Sequence, residues 1–178
     1  MKKQKEILTI IMFCVFIIGT TSVGAGEHYR FACELNDSTI GPKPDNTEAT
    51  GRVLFQLDEI KQEIVYQLQV EKIQDVYMAH LHMGAPNKEG LVAVWLYPPQ
   101  NYKTAKHTIE VEFNGTLTEG VIRQEDLKQG IVLGDLIESL RDGNAYVNIH
   151  TRNFIMGELR GQVETEQYVG LREEEPGC

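Results

Sequence analysis

Serine is nearly missing from this 178-residue chain: only Ser22, Ser38 and Ser139 occur, none of them in a G-x-S-x-G turn. The common serine-hydrolase arrangement therefore has no nucleophile to build on. Neither a G-x-x-x-x-G-K-[ST] nor a G-x-G-x-x-G phosphate loop is present, which removes the usual nucleotide-binding devices. Positive charge is scarce and dispersed, with 17 Lys and Arg against 26 Asp and Glu, for a net charge of -9. Without a basic stripe, contact with a phosphate backbone is repulsive, and nucleic acid is excluded as a partner. Cysteine is limited to Cys14, Cys33 and Cys178, and tryptophan to Trp95. The remaining balance, 42% apolar and 24% charged, is that of one globular domain with a core.

The first 25 residues differ from the rest. Lys2, Lys3 and Lys5 precede an uncharged apolar run from Ile7 to Gly19, and Val23-Gly24-Ala25 follows with small residues. That is the pattern of a secretory signal peptide over residues 1–25, with cleavage expected near Ala25. The run is shorter than the roughly 20 residues of a spanning helix, so membrane attachment arises only if the segment stays uncleaved. Cleavage leaves an exported domain more acidic than the whole chain, secreted or associated with the cell envelope. In that setting Cys33 and Cys178 can pair, stay free or bridge to another molecule. Residues 165–178 read as an acidic tail.

Alternation of apolar and polar residues dominates the interior. Val53, Phe55 and Leu57, then Ile64, Tyr66, Leu68 and Val70, mark two half-buried strands joined through Asp58-Glu59-Ile60-Lys61, an antiparallel hairpin. Further strands are expected over Tyr29 to Leu35, Val76 to Met83, Leu91 to Leu96, Thr108 to Phe113, Asn144 to Thr151 and Met156 to Val163. Turns are expected at Gly84-Ala85-Pro86-Asn87, Tyr97-Pro98-Pro99-Gln100 and Asn114-Gly115. Gln124 to Gln129 reads as a short helical turn. Leu133 to Arg141 carries Leu133, Leu136, Ile137 and Leu140 at helical spacing, with Gly143 beyond its end. About eight strands with one or two short helices predict an all-β, antiparallel, Greek-key-like β-sandwich.

The histidines carry the chemistry. In the strand Val76 to Met83, His80 and His82 share one face while Ala79, Leu81 and Met83 share the other. With the apolar face inward, the two imidazoles point outward at a spacing from which they converge on one ion. Tyr146, Asn148 and His150 share a face of the strand Asn144 to Thr151, so His150 adds a third nitrogen if the two strands are neighbours. Three neutral imidazoles suit copper, with zinc as the alternative. The plain reading of the same residues is a set of solvated polar groups. A separate square-planar site arises if cleavage exposes Gly26-Glu27-His28 as the amino terminus. Trp95 reads as core or inter-sheet packing, and Glu158 with Arg160 as an ion pair.

The stretches AHLHMGAPNKEGLVAVWLYP (Ala79 to Pro98), LIESLRDGNAYVNIHT (Leu136 to Thr151) and GELRGQV (Gly157 to Val163) together resemble the CHRD (chordin) domain. Ala49-Thr50-Gly51 before an alternating strand also matches; the resemblance covers roughly Phe31 to Glu164, and the domain is expected over 26–164. It implies an extracellular β-sandwich without an established enzymatic activity. The positions it carries over are His80, His82, Gly84, Gly90, Tyr146, Asn148, His150, Thr151, Glu158 and Arg160. An early Glu-Val-Pro-Pro stretch common in that family reads Thr39-Ile40-Gly41-Pro42-Lys43-Pro44 here. The histidine segments are also similar to the copper strands of Cu/Zn superoxide dismutase, but only His107 falls between His82 and His150, too few for a zinc loop. The expected function is an exported binding module, with copper held at the sheet surface by His80, His82 and His150. Its rival is a cell-envelope structural or protein-interaction module without metal. A metal-dependent oxidoreductase is the third reading, and no catalytic residue is assigned.

Overall fold

Each long alternating run becomes a strand that buries one face. The structure, a computed structural model, describes residues 29–37, 47–98 and 111–166. In chain order the elements are β1 (Tyr29–Asp37), β2 (Thr50–Asp58), β3 (Glu63–Ile73), β4 (Val76–Met83), β5 (Leu91–Tyr97) and β6 (Phe113–Ile122). A 3-10 turn (Gln124–Asp126) and helix α1 (Leu133–Arg141) follow, then β7 (Ala145–Thr151), β8 (Leu159–Gln162) and β9 (Glu164–Glu166). The segment 1–25, the tail beyond Glu166, and His28, His107 and Cys178 lie outside the described residues. Among the described residues no helix is long and apolar enough to cross a membrane.

All pairings are antiparallel, and the sheet runs β5-β4-β7-β8-β1-β2-β3-β6, with β9 also on β1. The expected all-β antiparallel architecture is borne out, with nine strands and one α-helix among the described residues. Its two halves are joined at β1, which pairs with β2 and β9 over its first residues and with β8 at Asn36 and Asp37. The sheet nearly closes on itself where β5 meets β3 and β6. There the Leu96 carbonyl accepts from the Tyr66 hydroxyl at 3.2 Å and the Thr118 hydroxyl at 3.1 Å. Phe31, Leu35, Phe55, Leu57, Leu68, Leu81, Leu96 and Ile149 fill the enclosed core, capped by Leu136 and Leu140 of α1.

The expected antiparallel β2–β3 hairpin forms, with Val53 opposite Leu68 and Asp58 opposite Glu63. Asp58 Oδ1 caps its turn by accepting the Ile60 and Lys61 amides. Three places differ from the sequence reading. The strand expected over Thr108 to Phe113 is met, among the described residues, at Phe113 alone; Val111 and Glu112 lie outside any strand, and β6 runs on from Phe113 to Ile122. Asn114-Gly115 is not a turn but lies inside β6 opposite a bulge: three steps along β3, Val70 to Ile73, match two along β6, Gly115 to Phe113, so the extra residue is on β3, where Lys72 takes φ +53°. Gly115 takes φ +132° and Asn114 Oδ1 accepts the Lys72 amide at 2.8 Å, so the turn-favouring pair follows the bulge of its partner strand. The last long strand begins at Leu159 rather than Met156, because 152–158 folds back as a loop over β7.

Where β8 faces β1 the backbones approach so closely that a Cβ added at Gly161 would run into the Glu34 carbonyl oxygen and Cys33 Sγ. Gly161→Ala is therefore expected to destabilise the protein by about 2–3 kcal/mol, the usual cost of overpacking, read as a lowered urea midpoint. An unchanged midpoint would mean that the two halves of the sheet separate there without cost.

Candidate metal centre

β4 and β7 are neighbours, and their register sets the centre: His82 lies opposite Tyr146, His80 opposite Asn148, and Met78 opposite His150. Apolar Ala79, Leu81, Val147 and Ile149 take the core face, so alternation turns the three histidines to the other face together. Their rings adjoin, with His80 centred 5.7 Å from His82 and 5.2 Å from His150. One nitrogen from each lies within 4.8 Å of the others. Bonds of about 2.0–2.1 Å to a single ion set nitrogens about 3.5 Å apart, a separation that small ring rotations from this arrangement would reach.

The outward face is not a surface. His80, His82 and His150 are only 5%, 8% and 7% exposed, which corrects the expectation of a solvent-facing site. Two loops cover them. Residues 84–90 close through Gly84 and Gly90: Gly84 N–H donates to the Asn144 carbonyl at 2.7 Å, and Gly90 N–H to the Tyr146 hydroxyl at 3.0 Å. A Cβ at Gly90 would collide with the Met83 backbone, so only glycine lets this loop return to the strand. Residues 152–158 form the second cover, tied by Gly157 N–H to the Phe154 carbonyl and Glu158 N–H to the Ile149 carbonyl.

Each loop lends one carbonyl to one imidazole. His82 Nδ1 lies 3.1 Å from the Gly90 oxygen, and His150 Nδ1 lies 2.9 Å from the Ile155 oxygen. A carbonyl only accepts, so the His150 ring carries its proton on Nδ1 and leaves a lone pair on Nε2. His82 Nδ1 faces both the Gly90 carbonyl and, at 3.1 Å, the Tyr146 hydroxyl, which can accept or donate; the carbonyl bond forms in the tautomer that leaves the lone pair on Nε2. Those two Nε2 atoms, and both nitrogens of His80, are buried without a hydrogen-bond partner among the described residues. His80 is packed edge-on against Trp95 at 4.5 Å between ring centres. No hydrogen bond holds it, so it is the ring free to turn towards an ion.

Burial keeps all three imidazoles neutral. It pushes His80 from its ordinary 6.5 down to about 3, helped by the His150, His82 and Lys128 charges. His82 is lowered mainly by burial, against the Gly90 hydrogen bond and with His150 and Arg160 adding to the shift. His150 is lowered by burial against its bond to Ile155. Neutral imidazole is the form that binds metal.

The surrounding shell departs from the sequence reading at several places. Trp95 is half-buried beside His80 rather than in the core; its signal was a position opposite His80, legible only once β4 and β5 are paired. Glu158 and Arg160 do not pair. Glu158 accepts the Thr47 hydroxyl at 2.6 Å and the Thr151 hydroxyl at 2.7 Å. Arg160 donates to the Lys88 carbonyl at 2.9 Å and lies 3.3 Å over the Tyr146 ring, which itself stacks on His82. Asn148 Nδ2 donates to the Met156 carbonyl, pinning the second loop. Cys33 is buried and unbridged, its thiol pushed up to about 12 by burial, so it offers no thiolate. A groove of about 620 Å³ lined by Cys33, Asn36 and Arg160 has none of the three histidines in its wall.

A protein-family model described as the CHRD domain matches residues 31–163. No curated protein and no solved structure matches the chain.

Two outcomes follow from unpartnered nitrogens. Replacing a buried group that has no hydrogen bond removes a desolvation penalty of about 1 kcal/mol or more. His80→Leu is accordingly expected to leave the metal-free protein as stable as before or raise its melting temperature; a large loss would mean that His80 serves the fold. Each histidine has a folded pKa below its unfolded one, so between the two values the unfolded chain binds more protons and stability falls with acid. Urea denaturation of the metal-free protein should show stability declining as pH drops from 6.5 towards about 3, with a shallower decline in His80→Leu. Equal slopes in the two proteins would contradict the shift.

Proposed function

Since the chain belongs to the CHRD domain family, we propose that it is an exported binding module that holds one metal ion, copper, between His80, His82 and His150. The observation that carries this reading is the set of buried imidazole nitrogens without partners, facing one another within 4.8 Å. Unsatisfied buried polar atoms are costly, and a bound ion turns that cost into ligation. The backbone carbonyls on His82 and His150 supply what metal-bound histidines ordinarily have, an acceptor for the second nitrogen. Imidazole nitrogens are ligands for copper and for zinc, and zinc is the alternative ion.

Export rests on the amino-terminal signal pattern, and it would place the domain in the envelope or outside the cell. A module that works by protein contact alone is the second reading. It is favoured by Ile155 and Met156, whose side chains are 64% and 58% exposed on the loop over His150.

Trp95, the only tryptophan of the chain and in contact with His80, reports on the centre. Titration of the purified protein with copper and with zinc is expected to change Trp95 emission up to one equivalent. His80→Ala, His82→Ala and His150→Ala should each abolish the tight equivalent, and His28→Ala should not. Loss of binding only with His28→Ala would assign the ion to the amino terminus and leave the protein-contact reading in its place.

A further inference from the structure

The centre offers an ion three neutral nitrogens and no negative charge. Among the described residues no carboxylate or thiol joins the three histidines in their cluster. The buried carboxylate nearest in sequence to this face, Glu158, is turned to Thr47 and Thr151. The charges beside the imidazoles are cations. Lys128 Nζ lies 5.1 Å from the centre of the Trp95 ring that abuts His80. Arg160, only 8% exposed, lies over the Tyr146 ring that stacks on His82, and is met there by a π face and a carbonyl.

Charge decides which ion such a site accepts. The cost of taking an ion out of water grows with the square of its charge, so a dication costs about four times as much as a monocation of equal size. Repulsion from Lys128 and Arg160 doubles as well. Divalent ions recover this through carboxylate or thiolate ligands, or at three-histidine sites through a bound water that becomes hydroxide; this centre has neither ligand, and its imidazoles are at most 8% exposed to water. A monovalent, polarisable ion keeps most of what three imidazoles give. Met78 stands opposite His150 in the β4–β7 register, a thioether at a position next to the ligands, and thioethers favour monovalent copper.

We propose that the centre selects monovalent copper, Cu(I), over Zn(II) and Cu(II), through a buried ligand set without anions that is flanked by Lys128 and Arg160. This rests on the three-histidine site proposed above and adds to it the charge of the ion. The site then acts in cuprous-ion capture or transfer, and not as a Lewis-acid centre.

The test is anaerobic competition at neutral pH between the purified protein and bicinchoninate for Cu(I), set beside competition with chromophoric chelators for Zn(II) and Cu(II). One equivalent of Cu(I) is expected, lost in each of His80→Ala, His82→Ala and His150→Ala, with Zn(II) weaker by at least about 100-fold. Lys128→Glu, on an exposed side chain, should tighten Zn(II) several-fold more than Cu(I) and narrow that ratio. Histidine-dependent Zn(II) or Cu(II) binding as tight as that of Cu(I) overturns the selectivity while leaving the site standing. Failure of all three ions to bind in a histidine-dependent way overturns the site itself. A ratio unmoved by Lys128→Glu overturns the electrostatic basis.

Discussion

The ladder between β4 and β7 is the constraint on which the centre depends. An antiparallel pairing fixes which side chains stand opposite one another, and here it sets His82 against Tyr146 and His80 against Asn148. A slip of one residue would send the histidines into the core and the apolar residues out. The core side forbids that slip, because Ala79, Leu81, Val147 and Ile149 are buried with the rest of the interior. The packing that stabilises the fold and the register that assembles the imidazoles are therefore the same interaction.

A strand in such a sheet usually has one wet face, but every residue of β7 is buried. The second face is covered by loops rather than by a helix, and that difference matters chemically. Loops bring backbone carbonyls that no helix or strand has paired, and two of these, from Gly90 and Ile155, fall on imidazole Nδ1 atoms. Polar groups that loops would otherwise leave without partners thus become the devices that favour one tautomer in each of two histidines. His80 lacks such an acceptor, so the metal-free centre carries its unmet polarity mainly on one ring. A core of leucines at these positions would be more stable. Their presence is what a binding role explains and a purely structural role does not.

The parts legible in the sequence were those governed by short periods. Alternation located β2, β3, β4 and β7, and the helical spacing of Leu133, Leu136, Ile137 and Leu140 located α1 with its end at Gly143. The shared face of His80 and His82 follows from the same period of two. Long-range closure was not legible. Nothing local says that 84–90 and 152–158 fold over the imidazoles, so outward side chains became buried ones. Nor does local sequence bring Thr47 to Glu158 across most of the chain, or Trp95 to His80. Asn114-Gly115 misled because its chemistry suits a turn and a strand opposite a bulge equally, and only the partner strand decides between them. Gly84 was legible as the start of a turn and Gly90 from the family resemblance alone; their shared physical reason is the tight return of the loop whose carbonyl reaches His82.

The covers also join access to orientation. With 84–90 and 152–158 in place the imidazoles are at most 8% exposed, so an ion would pass where one of these loops lies, and displacing either would withdraw a carbonyl hydrogen-bonded to an imidazole Nδ1. An ion on Nε2 and a carbonyl on Nδ1 favour the same tautomer, so binding and closure would favour each other. The outer side of the second cover bears Ile155 and Met156, well exposed, while the bond to His150 is made by main chain. A partner docking on those side chains would act on the loop, and through its carbonyl on the ligand. The metal and protein-contact readings of this domain would then share one moving part.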